Sequence, residues 1–267
     1  MSVRSVLDIR LPERDSRRVE EFLTKRLSRT KRDGALWSFE GEGTHITYYP
    51  SEALLIGGKK AHEWKERILS LVEEPSGPVC GCDESGKGDV FGPLVFACAV
   101  IVPKNYKKIL EQGPRDSKAI PTGKLLEKTK KLRSLVPVKT IALYPERLNE
   151  LYPRYGNLNR LMDEAYGKLL REIEHFKPAH IVIDRYSPKN PFGGSIEFIE
   201  KGEKDVAVSV ASMFARARFL TTLSELSRRY GIELPRGANT EALSLARELT
   251  KKDPELARKL VKLFFKL

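Results

Sequence analysis

The spacing of apolar residues changes along the chain, and each change predicts an element. Residues 3–11, SVLDIRLPE, read as a short strand, and Val19, Phe22, Leu23 and Leu27 then recur at helical spacing over 13–29. THITYY and EALLIGG, joined around Pro50–Ser51, have the form of a hairpin. A second helix over 61–73 carries Trp64, Ile68, Leu71 and Val72 on one face. EEPSGP then breaks the pattern with two prolines and a glycine, which places a domain boundary near residue 75. The part before it is a small, self-contained α+β unit.

The second part opens with strands: PVCGCD, LVFACAVIV and VKTIALY, the last over 138–144. A helix over 157–175 carries Leu158, Leu161, Met162, Ala165, Leu169 and Ile173 on one stripe. HIVID ends in Asp184, SIEFI (195–199) is a fifth strand, and a long helix runs over 204–229. Helices at 240–250 and 254–266, split by Asp253–Pro254, close the chain. Strands followed by strands alternating with helices predict an α/β domain with a mixed sheet over 76–267.

Composition narrows the class of protein. The longest apolar run, Leu94–Val102, is nine residues, half of the roughly 18 that a membrane span needs. The charged start, MSVRSVLDIR, lacks the apolar stretch of a secretion signal. Three cysteines are too few for a disulfide framework and suit a reducing cytoplasm. Cys80 and Cys82 share a strand face and, like Cys98, are expected to pack as small apolar side chains. The histidines at 45, 62, 175 and 180 show no metal-ligand spacing. A single Gln and six Asn beside abundant Lys, Arg and Glu are the drift expected of a protein from a hot environment.

Charge adds a partner class. The chain carries 48 Lys+Arg against 36 Asp+Glu, a net charge of +12 that points to a polyanion. Residues 1–75 hold 14 positive and 13 negative side chains, so nearly the whole surplus lies beyond them. The local exception is the stretch 14–32, with eight basic and three acidic residues. Tyr48 and Tyr49 are candidates for stacking on bases, with one of the two facing the core.

The chemistry concentrates in VCGCDESGKGDVFGP, residues 79–93. Neighbouring side chains of a strand point to opposite faces, so Asp83 and Glu84 share a site only if the strand ends there and the chain turns. Gly86 and Gly88 permit such a turn and a close approach of backbone to ligand. Adjacent carboxylates repel unless a cation neutralises them, and hard oxygen donors suit Mg²⁺ or Mn²⁺ better than Zn²⁺. Asp184 repeats the arrangement at the end of AHIVID. GCDESGK also fits the first seven positions of a P-loop, but Gly88 stands where that loop needs Ser or Thr. Two carboxylates among amides meant to cradle phosphate conflict electrostatically, which excludes the nucleotide-binding reading.

GCDESGKGDVFGPLV resembles the first motif of ribonuclease HIII, a bacterial type 2 ribonuclease H. Asp116–Ser117–Lys118 is similar to the family's DSK motif, and HIVIDRY to the segment bearing its third carboxylate, at Asp184. KGEKDVAVSVASMFAR resembles the segment with the fourth acid, which makes Glu203 the candidate, with Asp205 and then Glu200 behind it. LPRGAN and VKLFFKL are similar to the family's C-terminal pattern, so the likeness spans 79–267. ITYYPSEALLIGG resembles strands of the TATA-box-binding-protein-like domain that precedes the catalytic domain in ribonuclease HIII and is absent from ribonuclease HII. That region, with Lys87 and Asp89–Val90–Phe91, favours HIII. Two departures stand out: the segment after Glu203 is one residue shorter than the pattern, and no histidine follows Asn159.

The resemblance implies an α/β, RNase H-like fold with a central five-stranded mixed sheet and flanking helices over 76–267, preceded by a small α+β TATA-box-binding-protein-like, substrate-binding domain over 1–75. It implies endonucleolytic cleavage of the RNA strand of an RNA/DNA hybrid, leaving 5′-phosphate and 3′-hydroxyl ends. Asp83, Glu84, Asp184 and Glu203 would hold two divalent ions, Mg²⁺ or Mn²⁺. The backbone of Gly86, Lys87 and Gly88 would contact the 2′-hydroxyl that separates RNA from DNA, and Lys87 and Lys118 would meet phosphate. A monomer with no obligate protein partner is expected. The alternatives are a ribonuclease HII-like enzyme acting at single embedded ribonucleotides and an inactive hybrid-binding relative; the four acids argue against the second.

Overall fold

The computed structural model describes residues 6–265, so residues 3–5 of the strand expected over 3–11 and the last two residues of VKLFFKL lie outside it. The first part runs β1 (Leu7–Arg10), α1 (Glu13–Thr24), β2 (Ser28–Thr30), β3 (Trp37–Gly41), β4 (Thr44–Tyr48), β5 (Ala53–Gly58) and α2 (Ala61–Leu71). Its sheet is antiparallel throughout, in the order β1-β5-β4-β3-β2. Val19 and Leu23 of α1 and Trp64 and Ile68 of α2 are buried with Ile9, Phe39, Ile46 and Ile56 of the sheet. The helix expected over 13–29 stops at Thr24, because Ser28–Thr30 pair with Ser38–Glu40. Leu27, which extended the helical spacing, packs against Gly41 of β3 instead. Tyr48 faces the core, stacked on Trp37 at 4.9 Å between ring centroids.

The second part comprises β6 (Val79–Ser85), β7 (Leu94–Ile101), α3 (Tyr106–Leu110), α4 (Thr122–Leu132), β8 (Val138–Leu143), α5 (Pro145–Tyr155) and α6 (Leu158–Ile173). It continues with β9 (His180–Asp184), β10 (Glu197–Ile199), α7 (Val206–Tyr230), α8 (Thr240–Lys252) and α9 (Pro254–Leu260). The sheet order is β10-β9-β6-β7-β8, antiparallel from β6 to β8 and parallel from β6 to β10. β7 is buried on both faces, which is why it reads as an unbroken apolar run. Val95, Ala97 and Ala99 meet α7 on one side, and Leu94, Phe96 and Cys98 meet α6 on the other. α7 is long and apolar enough to cross a membrane, but 78% of its apolar window is buried inside the fold.

Three expectations need correction. The closing helix ends at Leu260, not 266, because Val261 bridges to Phe91 and the Lys262 N–H donates to the Val90 carbonyl. β6 does not end at Asp83 but continues to Ser85. The cysteines are all buried, but Cys82 and Cys98, opposite each other in the β6–β7 register with Cα atoms 4.2 Å apart, are joined as a disulfide, and only Cys80 is a free thiol.

The two sheets' cores meet in a single apolar cluster that includes Leu11, Trp64 and Val72 with Ile101, Tyr106 and Leu110. Ion pairs tie the same seam: Arg115 with Asp8, Lys65 with Glu111 at 2.7 Å, and Lys107 with Glu74 at 3.7 Å.

Candidate active site

The site forms where the central strands part. β9 pairs with β6 only as far as Cys82↔Ile183, while β7 accompanies β6 on through Ser85. Past Cys82, β6 therefore has an open edge. Alternation puts Asp83 on the α7 face, in the cavity that Ser212 also lines, and Glu84 on the α6 face, where it accepts a 2.6 Å bond from the Tyr166 hydroxyl. The two carboxylates come from opposite faces and meet around that open edge, so the expected turn is unnecessary. Asp184 ends β9 beside them, and its Oδ1 accepts the Gly202 N–H at 2.8 Å. A Cβ on Gly202 would lie 2.9 Å from that oxygen, so the approach requires glycine.

Glu203 follows directly. With Asp83, Glu84, Asp184, Gly86–Gly88 and Lys118, it lines a cavity of about 530 Å³. Asp205 lies outside the lining, its Oδ1 capping α7 by accepting from Ala207 (2.8 Å) and Val208 (3.0 Å). Glu200 turns away to Arg185, at 3.0 Å. Among the described residues, no three of the carboxylates bring ligand oxygens within 4.8 Å of one another; only the three cysteines form so tight a group.

Burial raises the pKa of Asp83 well above the usual carboxylate range, and the neighbouring Glu84 and Asp184 add to it. Burial likewise raises Glu84, against the Tyr166 hydrogen bond and nearby Lys87. Asp184 is raised by burial and by Glu203, against the Gly202 hydrogen bond. Carboxylates gathered in this way favour any partner that carries positive charge.

The Gly86–Lys87–Gly88 loop is fixed from below. Gly86 has φ +94°, and a Cβ there would meet the Pro93 carbonyl at 2.2 Å. Its own carbonyl accepts from the fully buried Lys262 Nζ at 2.7 Å, which also donates to the carbonyls of Asp89 (2.6 Å) and Phe91 (3.3 Å). Burial pushes the Lys262 ammonium down to about 7. The Gly86 carbonyl is thus already used, while Gly88 faces open space. Lys87 lines the cavity as well; its ammonium donates to the Tyr186 carbonyl at 3.0 Å and lies 3.9 Å from Glu84. Lys118 lines the cavity as expected.

Four contributors escaped sequence reasoning. Tyr166 lies one position along from the apolar stripe of α6 and looks like core until its partner is seen. Ser212 shares a buried 2.8 Å hydrogen bond with Ser117, which ties the DSK segment to α7. Arg216 lines the cavity with its Nε unpartnered. Lys262 reaches the loop from 176 residues away.

Six carboxylates line the cavity; Asp89 and Asp116 each accept a backbone N–H, from Gly237 and Lys118, and the other four, Asp83, Glu84, Asp184 and Glu203, sit around the open edge of a mixed five-stranded sheet, as in a nuclease of the RNase H type. The sequence model of the family described as Ribonuclease HII matches residues 80–267. Ribonuclease HIII of Aquifex aeolicus is 39% identical over 221 residues, covering 82% of this chain and 84% of the relative. The crystal structure of Aquifex aeolicus RNase H3 superposes with a TM-score of 0.64 at 33% identity, covering 96% of this chain and 98% of that one. Bst-RNase HIII, solved in complex with Mn²⁺, shares the fold with a TM-score of 0.65 at 24% identity, covering 98% and 96%. The chain belongs to the ribonuclease HIII family and is a ribonuclease H hydrolase.

Proposed function

We propose that this chain hydrolyses the RNA strand of RNA/DNA hybrids at the cavity built by Asp83, Glu84, Asp184 and Glu203, with two divalent cations, Mg²⁺ or Mn²⁺, leaving 5′-phosphate and 3′-hydroxyl ends. The observation that carries it is the gathering of Asp83, Glu84, Asp184 and Glu203 among the six carboxylates of one cavity, with the first three held above their ordinary pKa. The donor set fits such ions: all oxygen, buried enough to penalise unpaired charge, and open enough to admit a phosphodiester. The chemistry supplied by bound ions is a lowered pKa of the attacking water and charge stabilisation at the leaving oxygen. Tyr166 orients Glu84, and the Gly202 amide orients Asp184. The open backbone at Gly88 is placed to meet the 2′-hydroxyl, and Lys118 and Arg216 to meet phosphate.

A labelled hybrid incubated with and without Mg²⁺ or Mn²⁺ tests this. The expected products carry a 3′ end that a polymerase extends and a 5′ end that a ligase joins. Undiminished cutting in a chelator, or cyclic phosphate ends, would overturn the assignment.

Residues 1–75 form, on this reading, a TATA-box-binding-protein-like domain that binds substrate, and 76–267 the catalytic domain; the antiparallel sheet packed against α1 and α2 supports it. The basic stretch 14–32 is smaller as a binding surface than its charge suggests. Arg17 pairs with Glu21, Arg18 with Glu73 and Arg29 with Glu20. Lys25, Lys31 and Arg32 are outside any ion pair among the described residues and form the surface that meets the hybrid backbone. Reversing all three to Glu is expected to raise KM for a long hybrid about tenfold with kcat nearly unchanged, and to lower the slope of log KM against log salt by roughly one per lost phosphate contact. An unchanged KM and slope would remove these residues from the interface.

A further inference from the structure

Arg10 belongs to the N-terminal sheet, yet its guanidinium is buried against the catalytic cavity's fourth carboxylate-bearing segment. Nη1 donates to the Pro114 carbonyl (3.2 Å) and to Ser209 Oγ (2.7 Å), and Nη2 donates to the carbonyls of Glu203 (3.2 Å) and Lys204. Nε donates to Glu52 Oε2 at 2.7 Å, so every N–H of the fork has an acceptor. Arg10 is 3% exposed. Glu52 is itself fixed at the turn before β5, where its other oxygen accepts the Glu13 N–H at 2.8 Å. Ser209 completes the arrangement from α7: its hydroxyl donates to the Glu203 carbonyl at 2.6 Å while accepting from Arg10.

The Glu203 backbone is therefore held twice at its carbonyl, once from α7 and once from across the seam. The Glu203 carboxylate has no hydrogen bond or ion pair among the described residues, so its backbone is what places it. The short turn Gly202–Lys204 that carries it begins at Lys201 in the left-handed region (φ +55°) and lacks a side-chain cap. A turn so weakly held by its own sequence takes its geometry from whatever grips it. A planar five-donor cation matches this cluster of acceptors; an ammonium with three donors does not.

We propose that Arg10 is a positioning residue for the active site: the N-terminal part reaches through it to set the place of Glu203, and so contributes to metal binding and turnover as well as to holding the substrate. This rests on the reading of Glu203 as a metal ligand. It differs from a general role in holding the two parts together, since Lys65–Glu111 crosses the same seam without touching the site.

The test compares Arg10→Lys, Arg10→Met, Ser209→Ala, Glu203→Gln and Lys65→Met in the full chain, each checked for native circular dichroism. Mn²⁺ affinity is read directly, by electron paramagnetic resonance of free ion or by calorimetry, and kcat and KM on a hybrid are read separately. Arg10→Lys and Arg10→Met are expected to weaken Mn²⁺ binding at least fivefold and to lower kcat about tenfold to a hundredfold, with KM within twofold and kcat partly restored by excess Mn²⁺. Ser209→Ala is expected to move in the same direction by less, and Lys65→Met to change neither quantity. If Glu203→Gln weakens Mn²⁺ binding while folded Arg10→Lys binds it as the native chain does, the positioning role fails. An effect confined to KM, or an equal loss in Lys65→Met, also overturns it. If Glu203→Gln leaves Mn²⁺ binding intact, the ligand assignment beneath the proposal fails instead.

Discussion

Asp83→Asn is expected to leave the fold and the affinity for hybrid intact while lowering the cleavage rate with Mg²⁺ by about 10³-fold or more, roughly 4 kcal/mol of transition-state stabilisation. Asparagine has the same shape and keeps one oxygen, but it lacks the charge that the proposed chemistry requires. The same substitution makes an independent prediction about stability. Burial and the charges of Glu84 and Asp184 raise the Asp83 pKa in the folded chain above its unfolded value. The folded state therefore keeps a proton that the unfolded state has released, and the native protein loses stability as pH rises from the ordinary carboxylate range, about 4, through the folded value. The asparagine variant has no proton to lose at this position. Without metal, its melting temperature should match the native chain near pH 4 and exceed it increasingly toward pH 7, by roughly 2–4 °C for each kcal/mol relieved. Added Mn²⁺ should close or invert that gap, because it stabilises only the native chain. Wild-type cleavage by the variant would exclude Asp83 as a ligand, and a gap that shrinks with pH would contradict the electrostatic account.

The parts of this architecture that were legible are those where local pattern and global environment agree. β7 is buried on both faces, so its composition alone declares it. β9 and the carboxylate at its end read correctly because the strand stops where its pairing with β6 stops. Two elements that went unread have few buried positions: α4 buries only Leu125, Thr129 and Leu132, and α5, which contains Pro153, buries only Pro145 and Leu148. β2 shows the opposite failure, where helical spacing is present in Leu27 but pairing with β3 prevails. The motif identified Asp83 and Glu84 correctly as neighbours of one cavity but for the wrong geometric reason, since the strand continues and its edge opens instead. What no local pattern carries is long-range support. Lys262 holds a loop 176 residues away and Arg10 a turn 193 residues away, and each looks in sequence like one more contributor to the positive surplus.

Gly81→Ala is expected to be among the most damaging single changes in the chain, although it adds one methyl group to a buried strand. Gly81 sits on the α7 face of β6, and a Cβ there would lie 2.0 Å from the Val208 nitrogen, 2.1 Å from the Ala207 carbonyl carbon and 2.6 Å from its oxygen. All three are backbone atoms in the first turn of α7, so no side chain can rotate away, and the helix must move off the sheet. Overpacking costs of about 3 kcal/mol follow, or a fall of roughly 6–12 °C in melting temperature for a chain of this size. The displacement matters to chemistry as well. The first turn of α7 is continuous with Asp205 and Glu203 on one side and with Ser209 and Ser212 on the other, while Gly81 is two residues from Asp83. Lifting the helix separates the ligands on β6 from the one before α7, and a misplacement of about 1 Å costs on the order of 10²-fold in rate. Gly123→Ala provides the comparison: its Cβ would meet nothing within 4 Å, and it lies inside α4, where alanine favours the helix. That variant should melt at or slightly above the native temperature with full activity. A Gly81→Ala protein that melts and cleaves like the native chain would show that α7 can leave β6 without disturbing the carboxylates, and the close helix–strand contact would then have no part in holding the site.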